Sequence, residues 1–355
     1  MISANELTAI IMVRNDADRL RRGLESLQGV IERVIVLDTG STDATVQTAK
    51  DLGAEVHETE WPDAFDVALN QLVELVETPW TLRMDSDEWL AEDQEPHIRK
   101  MIENPDLALV NVMRRDLTSD GSFSDIAQPR LWRTHPEARY VGCIHEHFPE
   151  SYTVPLIQAG KSATSDIVLW HDGYLEGFSE SRLRRNLDLI RRELERRPKQ
   201  LYYEVCLVDT LASLNDPSWE TELNRLFDKA LSSNAPPPDR LIAIPLGKYL
   251  INQPKKILEK KREQALLRYC EKYLYDVPTL VWVLAHCEAE LGNLKKALDH
   301  FLILDQMRET GIYDRGLAAD PRIFTIELWP RIIELAPKCG KKQLVPYFMD
   351  LLNRR

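Results

Sequence analysis

The chain has 355 residues, enough for two domains of ordinary size. Its 44% hydrophobic content allows a sizeable core, and its 29% charged content keeps the surface solvated. A formal net charge of -12 repels phosphate backbones and anionic lipid, so bulk nucleic-acid or membrane binding is a poor expectation.

The opening residues, MISANELTAIIMVRND, carry no basic region before the apolar run and no small-residue cleavage signal. Leu7–Val13 is therefore expected as a first strand. It is apolar on both faces, as in a parallel strand covered on both sides. Asp16–Leu27 has helical spacing, with Leu20, Leu24 and Leu27 on one face. Arg33–Asp38 reads as a second strand, Asp43–Leu52 as a helix and Ala54–His57 as a short third strand. Phe65–Val76 reads as helical and Thr78–Asp85 as a fourth strand. Strand alternating with helix is the α/β pattern with right-handed crossovers. Thr118–Asp125 reads as a loop and Tyr140–Ile144 as a strand containing glycine. From about Ser179 the pattern turns helical. Ser179–Pro198 opens on candidate caps and stops at a proline. Leu280–Gly292 and Asn293–Met307 pair as helix–turn–helix, and Trp219–Leu231 and Lys261–Leu274 resemble second helices of similar pairs. The Leu-Gly-Asn turn with Ala297 and Phe301 resembles a tetratricopeptide repeat. Pro236–Pro238 interrupts the helical half. Two domains are expected, an α/β domain over 1–178 and an all-α, repeat-like domain over 179–355.

Five scattered cysteines (Cys143, Cys206, Cys270, Cys287 and Cys339), without a C-x-x-C, read as reduced thiols of a cytoplasmic protein. No stretch reaches the roughly 18 apolar residues of a membrane span.

Three expected strand tips carry polar groups. Ligands of open α/β sheets sit beyond the carboxyl ends of the strands. Arg14 and Asn15 follow the first strand. Asp38 ends the second, before a turn through Gly40. Asp85 ends the fourth, with Asp87 two residues on. In extended backbone Asp85 and Asp87 point to one side. Hard divalent cations take carboxylate oxygens together with substrate phosphates. The plainer alternative is that such aspartates cap the next turn or helix, and Asp43 is expected to do so.

Val13–Asp16, Asp38–Asp43 (DTGSTD) and Asp85–Glu88 (DSDE) stand in the order and spacing of family 2 glycosyltransferases of GT-A fold. Together with WPDAFDVALN (Trp61–Asn70), RLWRTHPEARYVGCIHE (Arg130–Glu146) and WHDGY (Trp170–Tyr174), they resemble a subfamily bearing tetratricopeptide repeats after the catalytic domain. Arg14 stands where lysine is usual, Leu69 where arginine is usual, and Asp66 is unusual in its place.

The resemblance implies an inverting, metal-dependent transfer of a hexose from a nucleotide sugar, with UDP the expected nucleotide. It implies donor contacts from Val13, Arg14, Asn15, Asp38, Asn70, Asp85 and Ser86. It implies Mn²⁺ or Mg²⁺ at Asp85 and Asp87, with His171 a candidate third ligand. Glu146 is the candidate base and Asp125 its backup. Each has a plain alternative: a capping turn for Asn70, a salt bridge for Glu146, a packed turn for His171. Arg130 and Arg133 are candidates for phosphate, for Glu146 or for surface pairs. The basic run Arg182–Lys199 reads mainly as a solvated helix face. Its second reading is a docking face for an acidic acceptor or a membrane surface.

A repeat-like tail offers a surface to extended chains, so a peptide or protein acceptor (Ser, Thr or Cys) is expected, with a cell-surface glycan as runner-up. Such repeats also self-associate, which makes a homodimer through the helical half a further expectation. Two other classes compete. A nucleotidyltransferase would need a glycine- and arginine-rich loop that VRNDADRL does not resemble. A decayed, repeat-based binding protein sits poorly with intact Asp38, Asp85 and Asp87.

Overall fold

A computed structural model describes residues 1–118, 121–173, 175, 179–198, 200–233, 243–251, 261–314, 321–324 and 327–354. Pro236–Pro238, Tyr174, Lys199 and part of the Thr118–Asp125 stretch (Ser119 and Asp120) lie outside them. The chain divides into two compact units, Met1–Glu193 and Leu194–Arg355.

The first unit is built on eight strands. They are β1 (Leu7–Val13), β2 (Arg33–Asp38), β3 (Glu55–Glu58), β4 (Trp80–Asp85), β5 (Glu88–Leu90), β6 (Leu109–Leu117), β7 (Phe123–Arg133) and β8 (Ser162–His171). They form one sheet in the order β3-β2-β1-β4-β7-β6-β8-β5. Strands β1 to β4 are mutually parallel, joined through α1 (Ala17–Leu27), α2 (Thr45–Asp51) and α3 (Phe65–Glu74). Strand β1 has no residue left exposed, which explains its unbroken apolar sequence. Leu20, Leu24 and Leu27 are the buried stripe of α1. The rest of the sheet is mixed: β7 is antiparallel to β4 and β6, β8 is parallel to β6, and β5 is antiparallel to β8. Helices α4 (Glu95–Ile102) and α5 (Glu150–Gln158) complete the covering. This is the mostly parallel GT-A plan.

Two local expectations fail. Asp125 belongs to strand β7, not to a loop. Tyr140–Ile144 is not a strand; its one ladder contact is an isolated bridge between Val141 and His147. Gly142 at φ 108 and His145 at φ 53 turn the chain out of extended backbone there.

Helix α6 (Glu180–Arg196) closes the first unit and crosses into the second. Among its described residues the second unit is helical: α7 (Leu201–Ser213), α8 (Trp219–Ser233), α9 (Ala243–Ile251), α10 (Lys261–Tyr273), α11 (Pro278–Glu290), α12 (Leu294–Thr310), α13 (Leu328–Lys338) and α14 (Val345–Asn353), with two short 3-10 turns described. The pair α11 and α12 is joined by Leu291-Gly292-Asn293, where Gly292 takes φ 80. Ala297 and Phe301 are buried in the core of that pair. No helix among the described residues is long and apolar enough to cross a membrane.

Candidate active site

Adjacent strands bring the polar tips together. In the register, Val13 stands beside Asp38, and Met12 beside Asp85. Val13 is buried, and its carbonyl accepts from the Thr39 backbone N–H at 3.0 Å. Asn15, at φ 50, is bolted to the β2 turn. Its N–H donates to Ser41 Oγ at 2.7 Å, and its Oδ1 accepts from Thr42 N–H at 2.7 Å. Asn tolerates this left-handed conformation better than most residues. Arg14, beside it, is exposed.

Asp38 is 2% exposed. Its Oδ1 accepts from the N–H groups of Gly40 and Ser41 at 2.9 and 2.8 Å, which folds the turn. Its Oδ2 is buried without a hydrogen-bond partner among the described residues. A buried acceptor left unpaired is costly, and a donor group on a nucleobase or ribose would satisfy it.

The DSDE segment is a tight turn between β4 and β5, so its two aspartates do not share an extended face. Asp85 faces two buried arginines. Its Oδ1 accepts from Arg83 at 2.9 Å, and its Oδ2 from Arg130 at 2.6 Å. Arg130 also donates to the buried Glu88 Oε1 at 2.8 Å, while Glu88 Oε2 accepts the Asp85 N–H at 2.9 Å. Burial acts to raise the Asp85 carboxyl, but Arg130 and Arg83 overcome it and hold it far below the usual carboxylate range. Arg83 also pairs with Glu146, so Glu146 reaches the Asp85 network through a shared guanidinium. Ser86 Oγ donates to Asp16 Oδ2 at 2.7 Å.

Asp87 faces the other way. Its Oδ2 lies 3.4 Å from His171 Nε2, and His171 Nδ1 meets Asp116 Oδ1 at 2.8 Å. Burial opposes a charged imidazole here, but hydrogen bonds to Asp116 and Asp87 outweigh it and push His171 up to about 9. A carboxylate behind a histidine that faces a second carboxylate is the usual outer support of a metal ligand. The space at this point is real. A Cβ at Gly173 would lie 2.2 Å from Asp87 Oδ2 and 2.6 Å from His171 Nε2, so glycine alone leaves it open. Asp87 and His171 thus fit a divalent cation by donor chemistry and by room.

The remaining candidates are placed as follows. Asn70 is occupied by the backbone of Tyr140: its Nδ2 donates to the carbonyl, and its Oδ1 accepts the N–H, both at 2.9 Å. Asp66 Oδ2 accepts Gly142 N–H at 3.0 Å, and Phe65 N–H donates to Cys143 O at 3.0 Å. The Phe65–Asn70 stretch therefore holds the loop that carries Glu146. Leu69 is 1% exposed in the core, an apolar seat that suits leucine. Asp125 is not brought to the group. Strand register puts Asp125 with Arg115 and Trp170, and Asp116 with Ser124 and His171. Neighbouring strand residues point to opposite faces, so Asp125 lies on the face away from His171. There it pairs with Arg115 at 2.8 Å. Arg133 donates to the carbonyl of Leu107 at 2.7 Å, away from any phosphate position suggested by the strand tips. Arg83 and Asp116 escaped the sequence reading. Arg83 was legible in principle, since it shares a face of β4 with Asp85.

Residues 8–150 match the family described as Glycosyl transferase family 2. A TPR repeat-containing protein of Synechococcus elongatus is 32% identical over 146 residues, 41% of this chain and 36% of that protein. The SPbeta prophage-derived glycosyltransferase SunS of Bacillus subtilis is 25% identical over 200 residues, 54% of this chain and 46% of that protein. The chain thus spans between a third and a half of these curated relatives. A mannosyltransferase of Pyrobaculum calidifontis, solved with GDP-mannose and Mn²⁺, is similar over 77% of this chain and 88% of its own, at 17% identity and a TM-score of 0.42.

Proposed function

Because residues 8–150 form a family 2 glycosyltransferase domain, we propose that the chain is an inverting, metal-dependent transferase that moves a hexose from a nucleotide sugar, UDP-linked, to a peptide or protein side chain. The observation that carries the reading is the convergence of Asp87 and His171 over Gly173, at the end of a sheet whose neighbouring tips hold Asp38 and Asn15. Mn²⁺ or Mg²⁺ held by Asp87 and His171, with Asp85 nearby, would supply positive charge to the departing diphosphate. Asp38 Oδ2 receives a donor group of the nucleoside, and Asn15 shapes the ledge beside it. Arg83 and Arg130 fix Asp85 as an anion facing the site. The acceptor oxygen or sulfur attacks the anomeric carbon as the bond to the diphosphate oxygen breaks. Its proton passes to a carboxylate, for which Glu146 is the candidate, through the oxygen that Arg83 leaves free. The all-helical second unit supports a peptide acceptor and self-association as a homodimer. All five cysteines stand as thiols outside any disulfide, which supports a cytoplasmic setting.

The test is a thermal-shift titration with UDP, GDP, CDP and dTDP, with and without Mn²⁺, on wild type and Asp87→Ala. A ligand selective for the folded state adds about 3 kcal/mol at a hundredfold excess over Kd. One nucleotide should stabilise the wild type, require Mn²⁺ and fail in the variant. No shift with any of the four would sink the reading.

A further inference from the structure

Three helices of the second unit turn metal-binding side chains toward one point. Glu271 on α10, Glu288 on α11 and His300 on α12 each bring one ligand atom within 4.8 Å of the other two. His300 is 4% exposed and Glu288 2%. The His300 ring is held from behind, where its Nδ1 meets the Tyr275 hydroxyl at 2.5 Å. Its Nε2 is buried and has no hydrogen-bond partner among the described residues. That nitrogen faces Glu271 Oε1 at 3.5 Å, beyond the range of a good N–H···O bond. Glu288 is supported in the same way, since its Oε2 accepts from Asn293 Nδ2 at 2.7 Å. Asn293 belongs to the turn that joins α11 to α12.

A lysine sits between the carboxylates. Lys296 Nζ lies 2.5 Å from Glu271 Oε1 and 2.6 Å from Glu288 Oε1, and only the second contact is aligned as a hydrogen bond. As a purely structural ion pair this arrangement is incomplete. One ammonium faces two carboxylates, one of them buried, and the imidazole nitrogen beside them stays unsatisfied. The Lys296 side chain is 47% exposed, so its flexible stem can swing to water without opening the core. A divalent ion in its place would match both carboxylates in charge. In the tautomer whose Nδ1–H donates to the Tyr275 oxygen, His300 Nε2 carries a lone pair for that ion. Metal–ligand bonds of about 2.1 Å set tetrahedral ligand atoms about 3.4 Å apart, close to the spacing of Nε2 and Glu271 Oε1. A hydroxyl behind the imidazole and an amide behind the carboxylate are the outer supports that orient metal ligands.

We propose that Glu271, Glu288 and His300 form a divalent transition-metal site in the helical unit, with Lys296 as the resident cation that the metal displaces. An imidazole with two carboxylates suits a borderline ion such as zinc better than calcium or magnesium. The bound ion staples α10, α11 and α12 together. The proposal is independent of the donor reading, because all its residues lie beyond the 8–150 match.

The experiment is calorimetric titration of the chelator-treated full chain with zinc chloride, in an Asp87→Ala background that removes the strand-tip carboxylate. A zinc ion should bind in that background. Adding His300→Gln or Glu288→Gln should weaken binding about a hundredfold, and Tyr275→Phe about tenfold, the scale of losing an outer support. Lys296→Ala should act in the opposite direction. It should tighten zinc binding roughly fivefold, the scale of one half-exposed ion pair that no longer has to break. Circular dichroism checks that each variant is folded, and Lys296→Ala keeps the test open if a glutamine variant is not. No zinc binding in the Asp87→Ala background overturns the site. Zinc affinity unchanged in both glutamine variants also overturns it and assigns the ion to other groups, thiols included. Lys296→Ala that binds zinc no more tightly overturns the displacement, since the ammonium then does not hold the metal position.

Discussion

His171 stands between Asp116 and Asp87, and that position gives it a pH signature in the metal-free protein. Its folded pKa, about 9, lies above its ordinary 6.5. The protonated imidazole therefore stabilises the fold in full below about pH 6.5, and the gain is lost as pH rises through 9. The whole span corresponds to about 3 kcal/mol. Urea unfolding of chelator-treated protein should lose stability over that window, and His171→Gln should flatten the dependence. An identical slope in the variant would show that another group titrates. At this scale the site is legible in part from the sequence. Asp87 and His171 were named on their motifs. Asp116, the support behind the imidazole, was not, because its role depends on β6 pairing with β8 across more than fifty residues of chain.

Among the elements, β4 and the turn into β5 depend on one buried guanidinium. Arg130 on β7 is 4% exposed and meets both Asp85 and Glu88. Burial and the nearby Asp85 push Glu88 up, so removing Arg130 strands the buried Glu88 and leaves Asp85 to Arg83 alone. Arg130→Met should cost about 3–5 kcal/mol in urea unfolding, as expected when one partner of a buried ion pair is lost. A cost below about 1 kcal/mol would mean that water already reaches the pair. Strands β1 and β2 are readable from their apolar runs, because sheets covered on both faces require them. Strands β6 to β8 are not. Arg115 pairs with Asp125 and Asp116 with His171 across strands, and a single strand's sequence does not display its partner.

On the scale of the whole molecule, α6 belongs by its contacts to the first unit. Leu187, Leu189, Ile190 and Glu193 are all buried, and Glu193 holds the loop before Glu146. Of two shortened chains, one ending at residue 198 should unfold at least about 5 °C above one ending at residue 178. Circular dichroism melts would check this, and equal midpoints would show that the helix adds nothing to the first unit. The change from α/β to helical pattern near Ser179 was visible in the sequence. That the first helix after the change belongs mostly to the first unit was not, since an amphipathic stripe does not say which core it faces.

The edge strand β5 pairs only with β8 in this sheet, and β8 delivers His171 and then Gly173. During synthesis the chain emerges from its N-terminus. Asp38, Asp85 and Asp87 are therefore made long before His171, the residue that faces Asp87. Until β8 arrives, a growing chain has Asp38, Asp85 and Asp87 without His171 and Gly173. On the proposed donor site, ligand capacity would be acquired late and in one step, when β8 joins the sheet.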